Sequence, residues 1–194
     1  MNFLAHLALS WSEPDLQVGN FLGDYTKGRT PDHYPPGVKQ GIQLHRLIDA
    51  TTDAHPAIKN LTARLKPRHG RYAGVISDVI LDLYLYRHWE ELALPAFPLF
   101  ARNTYDNLLA NTYYLTPDLG ARIQNMVREE WLTTYTTTAG ILNVFHRMQH
   151  RISRPKLMQG IATTMSDEDA AFDQAFLFLF PDLQTTVNQF CGDQ

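Results

Sequence analysis

A chain of 194 residues with 44% hydrophobic and 19% charged content reads most simply as one globular domain, large enough to bury a substantial core. Its net charge of -3 excludes a broadly basic nucleic-acid binder, and no run reaches the roughly 18–20 apolar residues of a membrane span. The lone cysteine, Cys191, has no internal disulfide partner, and the apolar N-terminal stretch lacks the basic region of a signal peptide, so the expectation is a cytoplasmic protein.

Taken in order, residues 2–11 predict a short helix with Phe3, Leu4, Leu7 and Ala8 inward and His6 set among them. A single His on an apolar helix serves either as a satisfied core residue or as a ligand. Ser12 and Pro14 mark the next helix start, and residues 15–28 supply Leu16, Val18, Phe21, Leu22 and Tyr25 as apolar positions. Gly19 and Gly23 let this helix approach a neighbour closely, while Asn20, Asp24 and Lys27 fall on one polar strip. Pro31, Pro35, Pro36 and Gly37 predict a loop over 29–40.

The stretch 41–56 carries the strongest signal. Leu44, Leu47, Ile48 and Thr51 make a core stripe, and His45, Asp49 and Asp53 recur every four residues on its flank, about 40° apart on a helical wheel. Exposed positions would favour Glu and Lys, which are better helix formers. A histidine with short carboxylates on one flank is what a divalent metal needs, and Arg46 beside it suits a phosphate. The other use of such residues is a buried polar cluster that fixes packing. Pro56 ends the helix near His55.

A short helix over 57–66 and a basic connection over 67–71 follow. Residues 72–89 are apolar on almost every face, which predicts a central helix, and Asp78 and Asp82 are set into it one turn apart. Two buried carboxylates on one face are costly unless a cation or donors satisfy them; Arg46, Arg68 or Arg71 are the available salt-bridge partners. The remainder reads as helices over 96–113, 116–131, 132–149 and 166–190, the last broken near Pro181, with His146 and His150 on an exposed basic face. No strand, repeat or Gly-rich phosphate loop is evident. The fold class is all-α, a single-domain multi-helix bundle over 1–194. Basic residues predominate between Lys27 and Arg71, which points to an anionic substrate or acidic partner.

Met1-Asn-Phe-Leu-Ala-His6, Gly19-Asn20 with Asp24 and Lys27-Gly28, the run Gly41 to Pro56, and Asp78-Val79 with Asp82 before His88-Trp89 together resemble the acyl carrier protein phosphodiesterase family. The resemblance covers residues 1–90 by motif and the rest only by helical character. It implies an HD-like helical fold, a divalent cation (manganese favoured, magnesium or another possible), and hydrolytic removal of 4′-phosphopantetheine from the serine of holo-acyl carrier protein. It implies His6, Asp24, His45, Asp49, Asp78 and Asp82 as metal candidates. Asp24, Lys27, Arg46 and Asp49 are the implied catalytic residues: a carboxylate base, and two cations for the non-bridging oxygens. The basic segment Lys59 to Arg71 is the expected docking surface for the acidic carrier protein.

Two departures stand out: the chain lacks the contiguous His-Asp pair usual in HD-type enzymes, and Leu83 follows Asp82 where the family pattern often has His. Two other readings remain open: a phosphohydrolase of the same fold acting on a nucleotide or small phosphodiester, and a non-catalytic helical protein that binds an acidic partner.

Overall fold

The computed structural model describes residues 1–192, which form helices joined by short turns, with no strand among the described residues. The α-helices are α1 (Phe3–Leu9), α2 (Pro14–Leu22), α3 (Pro36–Ala54), α4 (Pro56–His69), α5 (Ala73–Arg87), α6 (Phe97–Ala110), α7 (Pro117–Arg128), α8 (Trp131–Thr134), α9 (Thr138–Gln149), α10 (Ile161–Asp167) and α11 (Asp169–Gly192). The all-α class predicted from periodicity is what the structure shows, and none of these helices is long and apolar enough to cross a membrane.

Helix α5 is the axis of the bundle. Its Ile76, Ile80, Leu81, Tyr84 and Leu85 are fully buried, because α1, α4, α9 and α11 all pack on it. Helices α2 and α3 form the tightest pair. A Cβ on Gly19 would fall 2.0 Å from the Val38 carbonyl oxygen, and one on Gly41 would fall 2.2 Å from that of Leu16. Two facing glycines therefore let the backbones touch, which sets the neighbouring Asn20 and His45 side by side.

Among the boundaries that differ from the sequence expectation, three involve prolines. Helix α3 starts at Pro36, inside the stretch 29–40 predicted as loop, because Pro35 and Pro36 occupy the N-cap and first-turn positions, where a missing N–H costs nothing. Helix α4 continues through Pro67 to His69, past its expected end at 66. Helix α11 runs unbroken through Pro181. A proline there costs about 3 kcal/mol. Burial of Leu183 and Val187 beyond it, at roughly 1.5–3 kcal/mol each, offsets that cost.

Candidate metal centre

Helix α1 is seven residues long and has no side-chain cap of its own. The amides of its first turn, which have no partner within the helix, are met from α5. One Asp82 oxygen accepts from Leu4 N (2.9 Å), the other from Asn2 N (3.2 Å) and Ala5 N (3.3 Å). Asp82 thus caps α1 from another helix, with its side chain fully buried. Burial drives its pKa up to about 7, against the pull of the nearby Met1 ammonium and the three amide bonds. Asp78, one turn earlier, accepts from the Met1 ammonium at 3.0 Å, and burial likewise raises its pKa. The carboxylate pair read from the sequence is satisfied by amides and an ammonium rather than by Arg46, Arg68 or Arg71. Three amides of α1 thus engage Asp82 and the Met1 ammonium engages Asp78, and neither carboxylate belongs to the tight cluster of His6, His45 and Asp49.

The anchored α1 carries His6 into contact with α3. The His6 and His45 rings stack with centroids 4.2 Å apart. Both Nε2 atoms face one carboxylate: His6 Nε2 lies 3.2 Å from one oxygen of Asp49, and His45 Nε2 lies 3.2 Å from the other. A single residue, Asn20, fixes both rings. Its side-chain amide nitrogen donates to the His6 carbonyl (2.7 Å), so its Oδ1 is the atom that meets His6 Nδ1 at 2.8 Å. Its backbone oxygen meets His45 Nδ1, also at 2.8 Å. Both partners of the Nδ1 atoms are acceptors, so both Nδ1 atoms carry hydrogen. In the neutral tautomer each Nε2 is then a bare lone pair. Gly23 completes the support, since a Cβ there would fall 2.1 Å from Cγ of His45.

Two lone pairs and a carboxylate aimed at one point repel one another unless a cation lies between them. Protons meet part of this need. Burial holds the His6 pKa below its usual range. At His45 burial also opposes charge, but the Asp49 hydrogen bond and the charges of Asp49 and Asp24 raise its pKa on balance. Burial works against ionisation of Asp49 too, yet its bonds to His45 and His6 hold it well below the usual carboxylate range. His6, His45 and Asp49 have ligand atoms within 4.8 Å of one another, and among the described residues they are the only such group. Two imidazoles and a carboxylate, with each imidazole held through its far nitrogen, fit a divalent transition metal. Asp24 is next, with an oxygen 3.7 Å from His45 Nε2.

The cluster opens into a cavity of about 1030 Å³, whose lining includes His6, Asp24, Asp49, Asp53 and Asp78. The two cations predicted for the site are not in that lining. Helix α2 ends at Leu22 and tightens into a 3-10 turn over Gly23–Tyr25, so the regular spacing that put Lys27 on a strip with Asn20 and Asp24 is broken. Arg46 is exposed and donates to the Gly28 carbonyl at 2.8 Å, holding the loop before α3. The cavity's cationic side chains are Arg122, Arg147 and Arg151, from a half of the chain whose sequence carries no comparable motif. The expected docking segment is also partly occupied, with Arg64 paired to Glu168 (2.6 Å) and Arg68 to Asp167 (3.0 Å).

The family model described as acyl carrier protein phosphodiesterase matches residues 1–183, well beyond the motifs of the first half. The chain belongs to the acyl carrier protein phosphodiesterase family. Proteins named acyl carrier protein phosphodiesterase from Salmonella agona (strain SL483) and Salmonella newport (strain SL254) are each 36% identical to it over 177 residues, spanning 89% of this chain and 89% of theirs. No solved structure matches the chain. Within the family frame, Leu83 is a buried core residue of α5, and the position after Asp82 faces packing rather than the cavity.

Proposed function

We propose that this family member is a divalent-metal-dependent phosphodiesterase that removes 4′-phosphopantetheine from the serine of holo-acyl carrier protein. The observation that carries the metal dependence is the convergence of two tautomer-fixed imidazoles on the Asp49 carboxylate beside a large open cavity. Family membership carries the substrate.

His6, His45 and Asp49 would hold the cation, with Asp24 as a further oxygen donor or as the base. A bound divalent ion lowers the pKa of water toward neutrality and offsets charge on phosphoryl oxygens. Manganese suits a mixed imidazole and carboxylate set. Asn20 holds both rings, so the imidazoles meet the cation already oriented. The Asp24 side chain is 45% exposed and lines the cavity, and in this reading it takes a proton from the attacking water. Water adds to phosphorus, the phosphorus–oxygen bond to serine breaks, and the serine oxygen takes up a proton. The products are apo-acyl carrier protein and 4′-phosphopantetheine. The reading places the enzyme in the cytoplasm with its carrier protein, which suits a chain with one exposed cysteine.

Mass spectrometry of purified protein with holo-acyl carrier protein tests this. Loss of the phosphopantetheine mass with Mn²⁺, abolished by chelator, is the expected result. No loss with metal bound would transfer the site to another phosphodiester. No loss and no metal binding would favour a non-catalytic binding protein.

A further inference from the structure

Three arginines left unused by the chemistry above open onto the same cavity as His6, Asp24 and Asp49: Arg122 on α7, Arg147 on α9, and Arg151 in the turn after α9. The guanidinium of Arg122 is held over the ring of Tyr25, 5.3 Å from its centroid. Tyr25 follows Asp24, whose carboxylate borders His45. Contact with the Tyr25 ring and a hydrogen bond to that residue fix the guanidinium, whose remaining N–H groups can meet an oxyanion. The carboxylate neighbour of Arg147 is Glu129 at 3.7 Å, beyond hydrogen-bond length. Among the described residues no ion pair engages Arg122 or Arg151.

Electrostatics require such residues. The carboxylates lining the cavity outnumber its cations, and an anionic phosphodiester would be repelled by them. A divalent ion at the histidines offsets part of that charge. The remainder must come from donors on this chain, and neither Lys27 nor Arg46 lines the cavity.

We propose that Arg122, Arg147 and Arg151 form the anion-binding part of the cleft and hold the non-bridging oxygens of a phosphodiester. The assignment rests on the phosphodiesterase reading for its substrate, but phosphate binding tests it separately. Guanidinium groups bind such oxygens in pairs, which a lysine at the same place cannot do.

The experiment uses the full chain loaded with Mn²⁺, as wild type, Arg122→Ala, Arg122→Lys and Arg151→Ala. Calorimetry gives the affinities for Mn²⁺ and for inorganic phosphate. Steady-state kinetics give kcat and KM for bis(p-nitrophenyl) phosphate and for holo-acyl carrier protein. Both positions are exposed, so the variants should fold, and an unchanged Mn²⁺ affinity verifies this. The expected result is a roughly 10- to 100-fold weaker phosphate affinity in each alanine variant, partly restored in Arg122→Lys. A comparable loss in kcat/KM should appear for both diesters. Phosphate affinity equal to wild type, or no phosphate binding by wild type, would overturn the proposal. Losses confined to the carrier protein would also overturn it, assigning the arginines to docking instead. If wild type hydrolyses neither substrate, the phosphodiesterase reading fails, and the phosphate affinities alone decide this one.

Discussion

Replacing Asp82 by alanine should unfasten α1 without touching His6, His45 or Asp49. The carboxylate accepts from three amides of one helix start, of which those of Leu4 and Ala5 are buried. Losing a helix cap costs about 1 kcal/mol, and each orphaned buried amide about 1–3 kcal/mol. Relief from burying a carboxylate returns part of that, so a net loss of about 2–4 kcal/mol is expected. At this chain length that is a fall of roughly 5–15 °C in Tm. Urea denaturation of the chelated protein gives the free energy, and hydrogen exchange at residues 2–6 shows where it is lost. Asp82→Asn should lose less, because its amide oxygen still accepts while its amide nitrogen faces one N–H. Mn²⁺ affinity should survive in Asp82→Asn and fall in Asp82→Ala only as far as α1 frays. A loss below about 1 kcal/mol with unchanged exchange at α1 would refute the capping role. A complete loss of Mn²⁺ binding in a folded Asp82→Asn would return the residue to the ligand set.

The ligand set itself is tested by His6→Ala, His45→Ala and Asp49→Ala, each expected to weaken Mn²⁺ binding by about 100-fold or more in calorimetry while far-UV dichroism stays unchanged. Asn20→Ala should weaken it by about 10- to 100-fold with all ligands present, since both Nδ1 partners depend on that residue's position; native affinity would remove the orienting role. The chelated protein should grow less stable as pH rises from 5 to 8. Asp82 keeps its proton in the folded state up to about 7 but loses it near the ordinary carboxylate value when unfolded, so its contribution falls through that window. The raised His45 pKa acts in the same direction, stabilising below the unfolded value and fading as pH passes the folded one. Thermal melts of Asp82→Asn should therefore show a shallower slope than wild type, and an identical slope would exclude Asp82 as its source. Finally, Arg68→Glu should lower stability more than it raises KM for the carrier protein, because Arg68 is bonded to Asp167 and Thr164; the opposite ranking would restore the 59–71 segment as the docking surface.

Local spacing made much of this protein readable in the sequence. Helical periodicity determines the all-α class, since burial rewards one face of a helix wherever the repeat occurs. The turn spacing of His45 and Asp49 places both on one flank of α3, and Gly19 marks a close helix contact, all from residues a turn or two apart. Only the tertiary structure decided which distant groups meet. It brought His6 of α1 onto His45 through Asn20, bonded Asp82 to the amides of α1, and ended α2 before Lys27, which does not line the cavity. Arg122 and Arg147 sit on separate helices, and Arg122 lies near the cluster only through Tyr25, so no sequence interval relates it to Asp24 or His45. A spacing within one helix fixes directions; the meeting of a proton, a cation or an anion with its partner depends on how the helices pack.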